Sequence, residues 1–177
     1  MIHKVFDIKK LNINRFNLYL MYGKNEGLQT EIIHKYFISK FESEIKRYDE
    51  TEFISNSEII ISEILNKSLF DSKKIIIISR VSERIISLVK ELINKKISDI
   101  IIILKTGILE KKSKLRALFE KDKNLVAVPF YEDNFKDLSS VVMNFLREED
   151  IKISNESINL IINRANGNRA SLKNELN

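Results

Sequence analysis

Cysteine and tryptophan are absent from the 177-residue sequence, and proline occurs once, at Pro129. Without cysteine there can be no disulfide and no thiolate zinc site, and two lone histidines, His3 and His34, leave little from which to build a metal centre. His34 reads as an ordinary helix residue. No apolar run approaches the roughly 18 residues that a membrane-crossing helix needs. The start, Met1-Ile2-His3-Lys4-Val5-Phe6-Asp7, carries an acid and no long apolar stretch behind its lysine. It does not read as a signal peptide, and the expected location is the cytoplasm. A formal net charge of +5 permits a nucleic-acid partner, but it is spread along the chain and excludes little.

What is present is a series of short β-branched or apolar runs, at residues 18–22, 45–48, 74–79, 100–104 and 125–128, separated by longer amphipathic segments. The run Ile75-Ile76-Ile77-Ile78 is continuous rather than alternating, which implies burial on both faces, as in a parallel sheet flanked by helices. Helical spacing is expected over 26–41, 57–66, 82–95 and 110–121; Ile85, Leu88, Val89, Leu92 and Ile93 show it in the third of these. Repeated right-handed strand-helix-strand units make an open three-layer α/β sandwich with a five-stranded parallel sheet. After Pro129 strands give way to helices, expected over 135–147 and 154–165 with Ser154 as an N-cap, and again after Gly167. The expected division is an α/β domain at 1–134 and a helical lid at 135–177 that is incomplete at its end.

A phosphate-binding loop follows a strand and opens a helix with G-x-x-x-x-G-K-[ST]. Its glycines admit phosphate to the backbone amides, its lysine reaches the charge and its hydroxyl holds magnesium. Here the first strand runs into Gly23-Lys24-Asn25-Glu26-Gly27-Leu28-Gln29-Thr30. Counting from Gly23, Leu28 stands at the second glycine, Gln29 at the lysine, and only the hydroxyl of Thr30 survives. Taken alone, the segment reads as a strand-to-helix turn. The third run ends in Ser79-Arg80-Val81-Ser82, where a working ATPase has acids for magnesium and the attacking water. The lid position that offers an arginine three residues after a glycine holds Ala170, with Arg169 one residue early. Three losses at three expected places argue against ATP hydrolysis, and no cofactor is expected.

With these residues in place, the chain resembles the delta subunit of bacterial DNA polymerase III, a clamp-loader subunit with an AAA+ fold and no working nucleotide site. The resemblance rests on Tyr22-Gly23-Lys24-Asn25-Glu26, Ser68-Leu69-Phe70-Asp71-Ser72-Lys73-Lys74, Ser98-Asp99-Ile100-Ile101-Ile102-Ile103 and Gly167-Asn168-Arg169-Ala170-Ser171-Leu172-Lys173-Asn174-Glu175-Leu176. It implies a sheet order of 5-1-4-3-2 and a C-terminal collar that is not in this chain. It also implies a non-catalytic member of the polymerase holoenzyme, which binds the ring-shaped sliding clamp (the beta subunit) and opens it for loading onto primed DNA. Other loader subunits would be further partners. The resemblance places the clamp contact at Leu69 and Phe70, two large apolar residues between polar Ser68 and Asp71; local core packing is the competing reading. Lys111, Lys112, Lys114 and Arg116 form a basic stretch that reads as a solvated helix face, with DNA phosphate contact as the functional alternative. A nucleotide-dependent enzyme with an unusual phosphate loop, or an adaptor of the same fold, are the rival functions.

Overall fold

The computed structural model describes residues 2–40, 44–65, 74–95 and 100–176. Five parallel strands, β1 (Leu18–Gly23), β2 (Glu44–Asp49), β3 (Lys74–Ser79), β4 (Ile100–Thr106) and β5 (Val126–Phe130), form one sheet. Its order is β2-β3-β4-β1-β5, the 5-1-4-3-2 arrangement expected above. The isoleucine runs occupy its centre because they have an apolar layer on each face. Ile76, Ile78, Ile100, Ile102 and Leu104 point into one core, while Ile75, Ile77, Ile101 and Ile103 point into the other. Each such side chain, fully buried, contributes about 1.5–3 kcal/mol. The edges are less apolar or are covered. β2 carries Glu44, Lys46 and Arg47, and beside β5 the amide of His3 donates to the Ala127 carbonyl at 2.9 Å.

One face of the sheet is covered by α1 (Glu26–Ile33), its continuation as a wider turn over His34–Ile38, and the 3-10 segments Val5–Lys10 and Ile13–Arg15. The other is covered by α2 (Glu50–Ser55), α3 (Ser57–Leu65), α4 (Ile86–Asn94) and α5 (Lys114–Lys121). Departures from the sequence expectation include one helix start and one whole helix. The helix expected from residue 110 starts at Lys114, because Ser113 accepts a hydrogen bond from the Arg116 amide and caps it there. The short α2, unanticipated, follows β2 directly and is held by buried Phe53, whose ring packs edge-on to Tyr48 at 5.8 Å.

Beyond β5 come α6 (Phe135–Glu148), α7 (Asn155–Arg164) and α8 (Arg169–Leu176). Asn134 and Asp137 form a reciprocal capping box that starts α6, and Ser154 caps α7 as its sequence position suggested. These three helices share a separate apolar cluster of Leu138, Val142, Ile158, Ile162, Ala165 and Leu172. Among the described residues no helix is long and apolar enough to cross a membrane.

Candidate functional site: a closed phosphate loop

The loop between β1 and α1 has the course of a phosphate-binding loop, but several of its donors are used internally. The Gly23 amide donates to the Gly107 carbonyl at 2.9 Å, that of Glu26 to Lys24 at 3.0 Å, and that of Gln29 to the Asn25 carbonyl at 3.0 Å. The Leu28 amide donates to Oδ1 of Asn25, the buried N-cap of α1, at 3.0 Å. These four amides thus already have acceptors and are not free for an anion. Gln29, at the lysine position, is completely buried, and its Nε2 donates to the carbonyls of Gly23 and Thr106, both at 3.2 Å. The side chain pointed at the phosphates in a working loop here ties α1 to the ends of β1 and β4.

The two loop glycines have separate uses. Gly23 has a φ of +131°, and a Cβ there would lie 2.1 Å from the Phe130 carbonyl oxygen, so only glycine lets β1 and β5 converge at this end. Gly27 is helical; a Cβ on it would meet the Ala170 nitrogen at 3.0 Å. It serves the approach of α8 rather than that of a phosphate.

The metal side of the loop is also occupied. Thr30 Oγ1 donates to the Glu26 carbonyl at 3.0 Å and accepts from Nζ of Lys105 at 3.0 Å. Burial draws the Lys105 ammonium below its usual pKa, with Glu26 opposing. An ammonium therefore faces the hydroxyl that a working loop offers to magnesium. At the end of β3, Arg80 adopts a left-handed conformation (φ 57°) and pairs with Asp49, and Glu50 accepts from both the amide and the hydroxyl of Ser82, at 2.7 and 2.8 Å. Sequence reasoning found no acid on β3 and missed these two, which come from the end of β2 and the start of α2. Both are engaged by the residues that stand where the magnesium acids would be.

The lid side centres on Arg169. Its guanidinium makes a two-bond fork to Asp133, Nε to Oδ2 at 2.8 Å and Nη2 to Oδ1 at 2.9 Å, and a third bond to Glu31 at 3.0 Å. Lys173 joins Glu31 at 2.9 Å, and Asn25 Nδ2 donates to Asp133 at 2.9 Å. Burial would raise the Glu31 carboxyl, yet Lys173 and Arg169 together hold it below its ordinary range.

The other candidate residues are dispersed. Lys111 and Lys112 lie in the turn before α5, exposed, with Lys112 paired to Glu110 at 2.9 Å; Lys114 is exposed at the first turn of the helix. Arg116 is not a free cation: it pairs with Glu120 at 2.6 Å, donates to the Leu109 carbonyl at 3.2 Å and lies over the Tyr22 ring at 5.2 Å. Burial pushes the Tyr22 hydroxyl up to about 12. Leu69 and Phe70 lie outside the described residues.

No family model matches the sequence, and no curated protein matches it significantly. Among solved structures, it is similar to the DNA clamp loader delta protein of Bacillus subtilis, with a TM-score of 0.61 and 17% identity over 97% of this chain and 56% of that one. The Holliday junction branch migration motor RuvB of Thermotoga maritima matches with a TM-score of 0.60 and 13% identity, over 94% of this chain and 58% of that one. Domain III of the replication initiation protein DnaA from Thermotoga maritima matches at 0.55 and 15%, over 96% and 77%. The chain thus spans little more than half of the delta protein and of RuvB. What these likenesses show is the fold: an AAA+-like α/β fold, built in this chain on a five-stranded parallel sheet flanked by helices.

Proposed function

We propose that this chain is the clamp-binding part of a clamp-loader delta-type subunit, acting in replication without hydrolysing ATP itself. In this reading residues 1–134 are an AAA+-like domain with a degenerate phosphate loop, and 135–177 a lid domain. Leu69 and Phe70 enter an apolar pocket on the sliding clamp, and binding energy, rather than hydrolysis, supports an opened clamp interface. Other loader subunits, and primed DNA contacted through Lys111, Lys112 and Lys114, are the further partners; the site of action is the cytoplasm.

The observation that carries the proposal is the closed loop inside an AAA+ fold. An ATPase of this fold needs free amides, a lysine and a metal site, whereas Asn25, Gln29 and Lys105 use those places for internal bonds. Structural similarity to a DNA clamp loader delta protein over 97% of the chain supports the same direction. The test is surface capture of the cognate sliding clamp by the immobilised chain, with and without MgATP. Saturable binding of equal affinity in both conditions is expected. No binding by the folded chain, or binding that requires MgATP, would refute the reading.

A further inference from the structure

The cluster around Arg169 joins three segments that are distant in sequence: the loop and α1 through Asn25 and Glu31, the connection after β5 through Asp133, and α8 through Arg169 and Lys173. Its core is shielded, with the Arg169 side chain 10% exposed and that of Asp133 5%. It is also neutral, since two carboxylates face two cations. Three of the guanidinium's five N–H donors go to protein acids, whose carboxylates balance its charge where a phosphate would otherwise do so. The backbone is shaped to match, because Gly27 lets the start of α8 approach within what would be Cβ contact.

In phosphate-loop proteins lids commonly close in response to bound ligand. We propose that here Arg169 with Asp133 and Glu31 forms a built-in lock that holds the three C-terminal helices shut over the loop in every nucleotide condition. The carboxylate of Asp133 is the internal counter-ion that makes an external anion unnecessary. Lysine cannot replace Arg169, because a point charge lacks the fork that engages both oxygens of Asp133 while reaching Glu31. The lock is independent of clamp binding: a chain that bound no clamp would still show it.

The chain has no cysteine, so Thr51→Cys on α2 and Asn159→Cys on α7, both exposed, give two unique sites for spin labels. Distances between them are measured by pulsed electron resonance, with helix content followed by circular dichroism. A single narrow distribution, unchanged by millimolar MgATP, is expected for the otherwise unaltered chain. Arg169→Ala, Arg169→Lys and Asp133→Asn should each broaden it toward longer distances at unchanged helix content. Arg169→Ala combined with Asp133→Asn should broaden it no further than either change alone, the non-additivity that a shared contact gives. The proposal is overturned by a distribution that is broad from the start, that shifts with MgATP, or that stays narrow in all three single variants. Should those variants lose helix content, Glu31→Gln, which keeps the fork to Asp133, decides: broadening at full helix content supports the lock, and an unchanged distribution overturns it.

Discussion

The Gln29 side chain donates to the Thr106 carbonyl, sewing the first turn of α1 to the end of β4 across 77 residues of sequence. Its Oε1 is buried and has no partner among the described residues, so the site holds a neutral amide at some cost rather than a charge.

Restoring the lysine of a working loop should therefore damage this protein instead of reviving it. Gln29→Lys buries an ammonium between two carbonyls without a carboxylate, at a cost of about 3 kcal/mol. For a chain of this length that is a fall of roughly 10 °C in Tm. Calorimetric titration with MgATP should give no saturable heat for either protein. Micromolar binding by the variant would mean that the loop opens more easily than its internal bonds imply.

Gly23 and Gly107 offer a matched pair. Gly23→Ala places a methyl group 2.1 Å from a carbonyl oxygen at a φ of +131°, whereas a Cβ on Gly107 meets nothing within 4 Å. Urea denaturation should show a loss of about 3 kcal/mol or more for Gly23→Ala. Gly107→Ala should stay within about 0.5 kcal/mol. Equal midpoints would mean that β1 and β5 do not meet as described.

These contrasts also mark how far the sequence is legible. The central strands β3 and β4 stand out because isoleucine buried on both faces leaves no alternation, and all five runs match the observed strands to within about two residues. The departures from the phosphate-loop pattern at Leu28, Gln29 and Arg80 are likewise readable, since a motif fixes which residue types belong there. The internal bonds that these positions make are not readable. Arg169 stands out only by falling one residue early, and its partners Asp133 and Glu31 lie 36 and 138 residues away. Local periodicity cannot pair such groups. Lys105 gave a weak signal at most, a cation ending an isoleucine run, and its meeting with Thr30 depends on β4 lying beside β1.

The Glu31 ion pairs set a pH dependence. Lys173 and Arg169 on α8 face the carboxyl, and Lys35, Asp137 and Glu148 line the adjoining cleft. The folded-state pKa lies below the ordinary value of 4.5, so the unfolded chain takes up the proton first as pH falls. The contribution is thus complete above the usual glutamate range and is lost as pH drops from about 4.5 through the lower folded value. Thermal melts from pH 7 to 3 should show Glu31→Gln with the lower Tm at neutral pH and a smaller acid-induced fall than the unaltered chain. Parallel curves would show that the pairs contribute nothing.

Phe70→Ala is the substitution that divides the two readings of the Ser68-Leu69-Phe70 segment. Truncating a central aromatic anchor of an interface typically costs about 2 kcal/mol or more, which is a roughly thirtyfold weaker affinity. Truncating a buried core phenylalanine instead costs about 3–5 kcal/mol of folding stability. Under the clamp-binding proposal, Phe70→Ala should weaken capture of the sliding clamp at least thirtyfold, in line with that estimate, while its melting temperature stays near that of the unaltered chain. Leu69→Ala should follow with a smaller loss of affinity, since the smaller side chain removes less apolar surface from the pocket. Both quantities must come from the same preparation, because a chain partly unfolded at the assay temperature would mimic weak binding. A large fall in Tm with unchanged affinity of the folded fraction would assign both residues to the core, and the clamp contact would then have to lie elsewhere on the chain.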